Sequence, residues 1–117
     1  MGNYNYTALQ ITSACGKPRM DRVAAKATEL GLQHTGVITL PVNRNYYMVV
    51  YPSGSKALWP EDEAHLKALA QLNLFIEESN LEEGARYICA LQTRIMDTGE
   101  GIPAGSIVYE TPEVEEE

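Results

Sequence analysis

The stretch YNYTALQIT, from Tyr4 to Thr12, is dense in aromatic and β-branched residues with partial alternation of apolar and polar positions, and predicts a first strand. SACGKP then breaks the pattern. Pro18 suits the first turn of a helix, and Met20, Val23, Ala24, Ala27 and Leu30 recur at helical spacing up to Gly31, a natural helix stop. HTGVITL and NYYMVVY are β-rich runs joined by PVNR, which reads as a hairpin, and PSGS is the turn after it. A second helix is expected to start at Pro60 and run to about residue 78, since Glu61, Asp62 and Glu63 complement a helix N-terminus and Ala68, Leu69, Leu72, Phe75 and Ile76 form its apolar stripe.

Residues 86–96, RYICALQTRIM, carry two patterns at once. Asn80 as a cap, with Ile88, Leu91 and Ile95 behind it, would suit a helix. The alternation of Tyr87, Cys89, Leu91, Thr93 and Ile95 suits a strand, and Gly84 weakens a helix start, so we read a strand. DTGEGIPAG would then turn the chain into a further β-like run, SIVYE. The order β-α-β-β-α-β, with an extra C-terminal strand in view, predicts an α+β, ferredoxin-like two-layer sandwich: an antiparallel sheet with two helices on one face. One domain is expected over residues 1–110, with TPEVEEE at 111–117 an acidic disordered tail.

Charge changes the picture more than composition does. The net charge of −7 divides unevenly: residues 1–58 hold six Lys/Arg against two Asp/Glu, and residues 59–117 hold three against fourteen. Such a chain can present a basic and an acidic face, whereas a non-specific nucleic-acid binder needs many cationic phosphate contacts. No run of 18 apolar residues is present, so no membrane-spanning helix is expected. The N-terminal residues MGNYNYTALQ do not have the shape of a secretory signal, and the expected location is the cytoplasm with both cysteines, Cys15 and Cys89, as free thiols.

The chemical candidates are sparse. Cys15 precedes a helix start with Lys17 and Arg19 nearby, a setting that lowers a thiol pKa, but no phosphate loop accompanies it and a small buried thiol is the simpler reading. Asp97-Thr98-Gly99 has the aspartic-protease triplet, yet too little chain follows for that fold, and a turn explains it. His34 and His65 sit at element starts without a catalytic companion, and no metal-ligand spacing links them to the cysteines. CGKP lacks the rest of a phosphate-binding loop. RNYYMVVY partly matches the basic-aromatic octamer of the RNA-recognition motif: Arg44, Tyr46, Val49 and Tyr51 fit, whereas Asn45, Tyr47 and Met48 do not, and Tyr6 offers a second stacking ring. Arg19, Arg22 and Lys26, at helical spacing, form a basic stripe beside the apolar face of the first helix, and Trp59 stands beside Pro60 where the second begins.

The block YPSGSKALWPEDEAHLKALAQLNLFIEES, residues 51–79, resembles one found in small uncharacterised phage and prophage proteins, where a strand ends in a Pro-Asp-Gly-Ser-Lys turn followed by Trp, acidic residues and an amphipathic helix. Ser53 and Leu58 depart from it, standing where Asp and Gly are usual. The resemblance implies a phage or mobile-element origin and transfers no site residue. The expected function is a non-enzymatic binding protein that engages, and inhibits, a host protein, in one variant through an acidic surface that mimics DNA. Its contact residues would be drawn from Arg19, Arg22, Lys26, Tyr46, Tyr51 and Trp59, with no cofactor or metal, and a homodimer is compatible with it. The alternatives are single-stranded nucleic-acid binding through sheet tyrosines and, more remotely, a small cysteine-dependent enzyme.

Overall fold

The computed structural model describes residues 4–13, 16–40, 45–52, 55–56, 63–97 and 104–114. It is α+β: β1 (Tyr4–Ser13), α1 (Lys17–Glu29), β2 (Ile38–Thr39), β3 (Tyr46–Val50), β4 (Ser55–Lys56), α2 (Glu63–Glu83), β5 (Ile88–Asp97) and β6 (Ala104–Glu110). The strands form an open antiparallel sheet in the order β2-β3-β1-β5-β6, with the two-residue β4 also paired to β1. Residues 86–96 resolve in favour of alternation: Ile88–Asp97 is a strand and pairs with β1 along the whole of both, from Ser13↔Ile88 to Tyr4↔Asp97. The turn residues 98–103 and the expected helix start at Pro60 lie outside the described residues.

Both helices end as their glycines dictate. Leu32 N–H reaches the Ala27 carbonyl at 2.9 Å and Gly31 N–H reaches Thr28 at 3.0 Å, with Gly31 at φ 79°, so the last carbonyls of α1 are satisfied by a left-handed residue that only glycine adopts at no cost. The same pair of bonds closes α2 around Gly84, from Ala85 N–H to Asn80 and from Gly84 N–H to Leu81. This corrects the expected end near residue 78: α2 runs on to Glu83, and Asn80 lies inside it rather than capping another helix. The reason is tertiary. Asn80 is 1% exposed, its Nδ2 donates to the Ile88 carbonyl at 2.8 Å, and its Oδ1 accepts from Ile88 N–H at 3.0 Å. A side chain that completes both backbone groups at the first residue of β5 holds the last turn of α2 on the sheet.

One continuous core lies between the helices and one face of the sheet. Leu9, Ile11, Met48, Val50, Ile88 and Ala90 point from β1, β3 and β5 into Met20, Val23 and Ala27 of α1 and Ala68, Leu69, Leu72 and Ile76 of α2. The period of 2 on the strands and near 3.6 on the helices therefore meet in two layers. Each fully buried Leu or Ile of this set contributes roughly 1.5–3 kcal/mol. Packing also goes further than the expected domain end at residue 110. Thr111 is 1% exposed, its N–H donates to the Ala90 carbonyl at 3.0 Å, its Oγ1 accepts from Ala90 N–H at 2.8 Å, and its carbonyl accepts from Arg86 at 3.0 Å. The start of the expected tail thus continues the β6 pairing with β5.

Candidate functional site

The sequence-derived candidates do not gather in one place. Arg19 of α1 pairs with Glu83 at the end of α2, Nη2 to Oε2 3.1 Å, and its guanidinium lies 4.3 Å from the centre of the Tyr87 ring. Hydrogen bonding from Arg19, with its charge beside it, holds the Glu83 carboxyl below its ordinary value. Lys26 approaches Glu29 at 3.7 Å and lies over the Phe75 ring. Of the stripe, Arg22 is exposed, while Arg19 and Lys26 serve as clasps between the two helices.

The two tyrosines part company. Tyr46 shares the parity of Met48 and Val50 and packs against the core on the helix side, whereas Tyr51, 48% exposed, continues the opposite face after Tyr47 and Val49. Trp59, Cys15 and Arg44 lie outside the described residues. His34 is held by its neighbours: Gly36 N–H donates to Nδ1 at 3.0 Å, which leaves Nε2 as the protonated nitrogen, 2.8 Å from Thr28 Oγ1. His65 Nε2 is buried without a hydrogen-bond partner among the described residues, and Cys89 is a half-exposed thiol on β5. Among the described residues no group of three or more His, Cys, Asp or Glu stands together as a metal site.

Two surfaces that sequence reasoning did not single out are better built. The first is a groove beside α2. Two helices cover β3, β1 and β5, but β6 continues the sheet past them, so the outer flank of α2 and the helix side of β6 face each other across a gap. A cavity of about 440 Å³ there is lined by Leu66, Ala70, Asn73, Leu74, Glu77, Gln92 and Tyr109. A second, of about 300 Å³, continues it past Glu77, Asn80 and Leu81 to Pro112, Glu113 and Val114. Leu74 and Leu81 are 57% and 66% exposed, large apolar side chains on the open flank of a helix. Polar groups form the floor: Asn73 Nδ2 donates to Gln92 Oε1 at 3.0 Å, Asn73 Oδ1 is buried with no donor among the described residues, and Tyr109 Oη is buried beside Glu77. Burial first, then the Glu77 carboxylate, pushes the Tyr109 hydroxyl up to about 12. The signal was available in part: Leu66 lies beside the stripe that faces the core, and Ala70, Leu74 and Leu81 fall towards the opposite side of α2, so the helix carries apolar residues well beyond the arc one core needs.

The second surface is the sheet face that bears no helix. Ala8, Gln10 and Thr12 of β1, Tyr47 and Val49 of β3, Cys89, Leu91 and Thr93 of β5, Ile38 of β2 and Ile107 of β6 lie on it, and none is buried. Their strand neighbours on the other face include Leu9, Ile11, Met48, Val50, Ile88 and Ala90, each 0% exposed. The register shifts between Gln92 and Thr93, which leaves Val108 as an extra residue on β6, and Ile107 and Val108 are both exposed at this margin. Set beside known proteins, the chain matches no family model, no curated protein and no solved structure. No helix among the described residues is long and apolar enough to cross a membrane.

Proposed function

We propose that this chain is a non-enzymatic binding protein that seats an apolar, basic segment of another protein in the groove between α2 and β6. The observation that carries the reading is the exposure of Leu74 and Leu81 along one flank of α2, opposite Tyr109, Pro112 and Val114. Large apolar side chains gathered in a cleft are the usual material of a protein interface. Glu77 on the shared lining gives the cleft acidic character, which selects a basic partner and speeds its approach, while Glu113 at its far end is paired with Arg86 at 3.7 Å. This agrees with a C-terminal half that holds three Lys/Arg against fourteen Asp/Glu. In the full reading the chain is encoded by a phage or mobile element and binds, in the cytoplasm, a host protein that it inhibits. The topology proposed with it is ferredoxin-like: the strand order β2-β3-β1-β5, with α1 and α2 on one side, supports that pattern, and β6 is an addition at its edge. The added strand is what makes the groove.

Nucleic-acid binding through the sheet is less well supported, because Tyr46 packs with the core and the net charge of the chain is −7. The test is affinity capture from a host lysate with quantitative mass spectrometry, comparing wild type with Leu74→Lys/Leu81→Lys. Both side chains are exposed, so the variant should fold. A host protein captured by wild type should fall at least about tenfold with the variant, the size expected when anchors in an interface are lost. Equal capture of the same proteins by both would remove the groove as the binding site.

A further inference from the structure

We infer, on the reading that the groove is the binding site, that the segment seated there is an amphipathic helix, laid along α2 and over β6 with a lysine or arginine facing Glu77.

α2 carries a second stripe besides the one that faces the core. Leu66, Ala70, Leu74, Glu77 and Leu81 all line the two cavities, and each is three or four residues from the next. At about 100° per residue they share an arc of roughly 80°, which begins beside the core stripe and reaches the outward side of the helix. At about 1.5 Å per residue the stripe runs roughly 22 Å, four turns of helix. Ala68, Leu69, Leu72 and Ile76 already fill the core, whereas Ala70, Leu74 and Leu81 are exposed. Spacing by three and four is how one helix packs on another: small Ala70 lets a second axis come close, and Leu74 and Leu81, seven apart, are knobs for a facing helix.

The sheet side of the groove decides against an extended segment. A strand would have to pair with the outer edge of β6 beside the groove, and that edge is interrupted twice. The register shift leaves Val108 as the extra residue of a bulge. Thr111 N–H turns inward to the Ala90 carbonyl, so the next outward donor would fall at position 112, where Pro112 has none. Bulges and edge prolines are devices that keep a further strand from adding. A helix satisfies its own backbone and needs only side-chain contacts, here from the α2 stripe at its flank and from Tyr109, Pro112 and Val114.

Charge names the partner's polar residue. Glu77 is the one ionisable group of the stripe, within a turn of both Leu74 and Leu81. Among the described residues no Lys or Arg pairs with it, whereas Glu83 and Glu113 are matched by Arg19 and Arg86. A cation set between two apolar anchors of the partner supplies the missing charge.

A displayed library of random peptides of about 16 residues, long enough to span the stripe as a helix, is the probe, selected against the intact chain. Enriched sequences should place apolar residues at i, i+3 or i+4 and i+7, with Lys or Arg between them. Synthetic copies should gain helical far-UV circular dichroism on binding and lose at least about tenfold in affinity for Leu74→Lys/Leu81→Lys. Selection against Glu77→Gln should keep the helical spacing and lose the preference for Lys or Arg. Peptides that alternate with a period of two, yet still depend on Leu74 and Leu81, overturn the helix and leave the groove as the binding site. Peptides that bind wild type and Leu74→Lys/Leu81→Lys equally, or a library that yields no binder, remove the helix and the groove together. A wild type that sediments as a dimer, with Leu74→Lys/Leu81→Lys a monomer, gives the stripe to a second copy and also overturns the inference.

Discussion

Asn80 is the residue on which the junction of α2 and β5 turns. Its carboxamide meets both backbone groups of Ile88, and all four atoms are shielded from water. Asn80→Ala would strand a buried N–H and a buried C=O together, each costing about 1–3 kcal/mol. Urea unfolding should show a loss of roughly 2–4 kcal/mol on the same grounds, with Asn80→Gln failing to rescue because the longer amide cannot keep the two-point geometry. Tyr109 gives a second prediction, in pH. Its hydroxyl is raised from 10 to about 12 in the folded chain, so the folded state holds the proton more tightly than the unfolded one. The associated stability is fully present below the unfolded value of 10 and is lost as pH rises through about 12. Thermal unfolding followed from neutral pH upward should therefore show an alkaline loss that Tyr109→Phe reduces; an unchanged alkaline limb would mean that other groups carry it.

At the scale of elements, the β6 strand and the residues after it form one unit. Thr111 is buried and joined to Ala90 in both directions, and Arg86 ties its carbonyl. Ending the chain after Glu110 should lower stability by about 2 kcal/mol, as several buried hydrogen bonds go together, whereas removing residues 115–117 alone should leave the melting temperature unchanged because charged terminal segments bury little. Calorimetry on the two truncations separates them. The helix pair has its own clasp in Arg19, shared between Glu83 and Tyr87. Because Glu83 is held below its ordinary value, the ion pair's stabilisation is present above about pH 4.5 and fades as pH falls through the lowered value. Glu83→Gln should make acid unfolding less steep by that contribution.

The whole molecule is governed by a pairing between its two ends. β1 and β5 share ten residue pairs, and Ser13 donates to the Tyr87 carbonyl across 74 positions of sequence. A central strand that waits for a partner so distant must close a long loop before that pairing stabilises it, so refolding should fall in the milliseconds-to-seconds range of non-local β topologies. Stopped-flow fluorescence would measure it; a microsecond phase accounting for the full amplitude would contradict a nucleus built on β1 and β5. The same pairing sets the two surfaces described above. It puts β5 inside the sheet, leaves β6 at the rim beyond the helices, and leaves the face of Tyr47, Val49 and Leu91 without a helix.

Local periodicity was enough to define the elements. The alternation from Tyr4 to Thr12, the helical spacing from Met20 to Leu30 and the stripe of α2 each report which side of an element will be covered, because burial of apolar groups is decided residue by residue, whereas the alternation of Cys89, Leu91 and Thr93 marks a strand whose covered side is the other one, that of Ile88 and Ala90. The glycines at 31 and 84 mark helix ends for a reason equally local, the left-handed backbone that other residues resist. What no local pattern could supply was which polar residues would be taken up by distant partners. Asn80 reads as a cap but completes the backbone of Ile88, Thr111 reads as tail but completes Ala90, and Arg19 and Lys26 read as a free stripe but close against Glu83, Tyr87 and Phe75. Tyr46 and Tyr51 are alike in sequence and divided by the parity of one strand. The groove and the open face exist only once five strands are set beside two helices, because an uncovered surface is a property of how many elements there are to cover it.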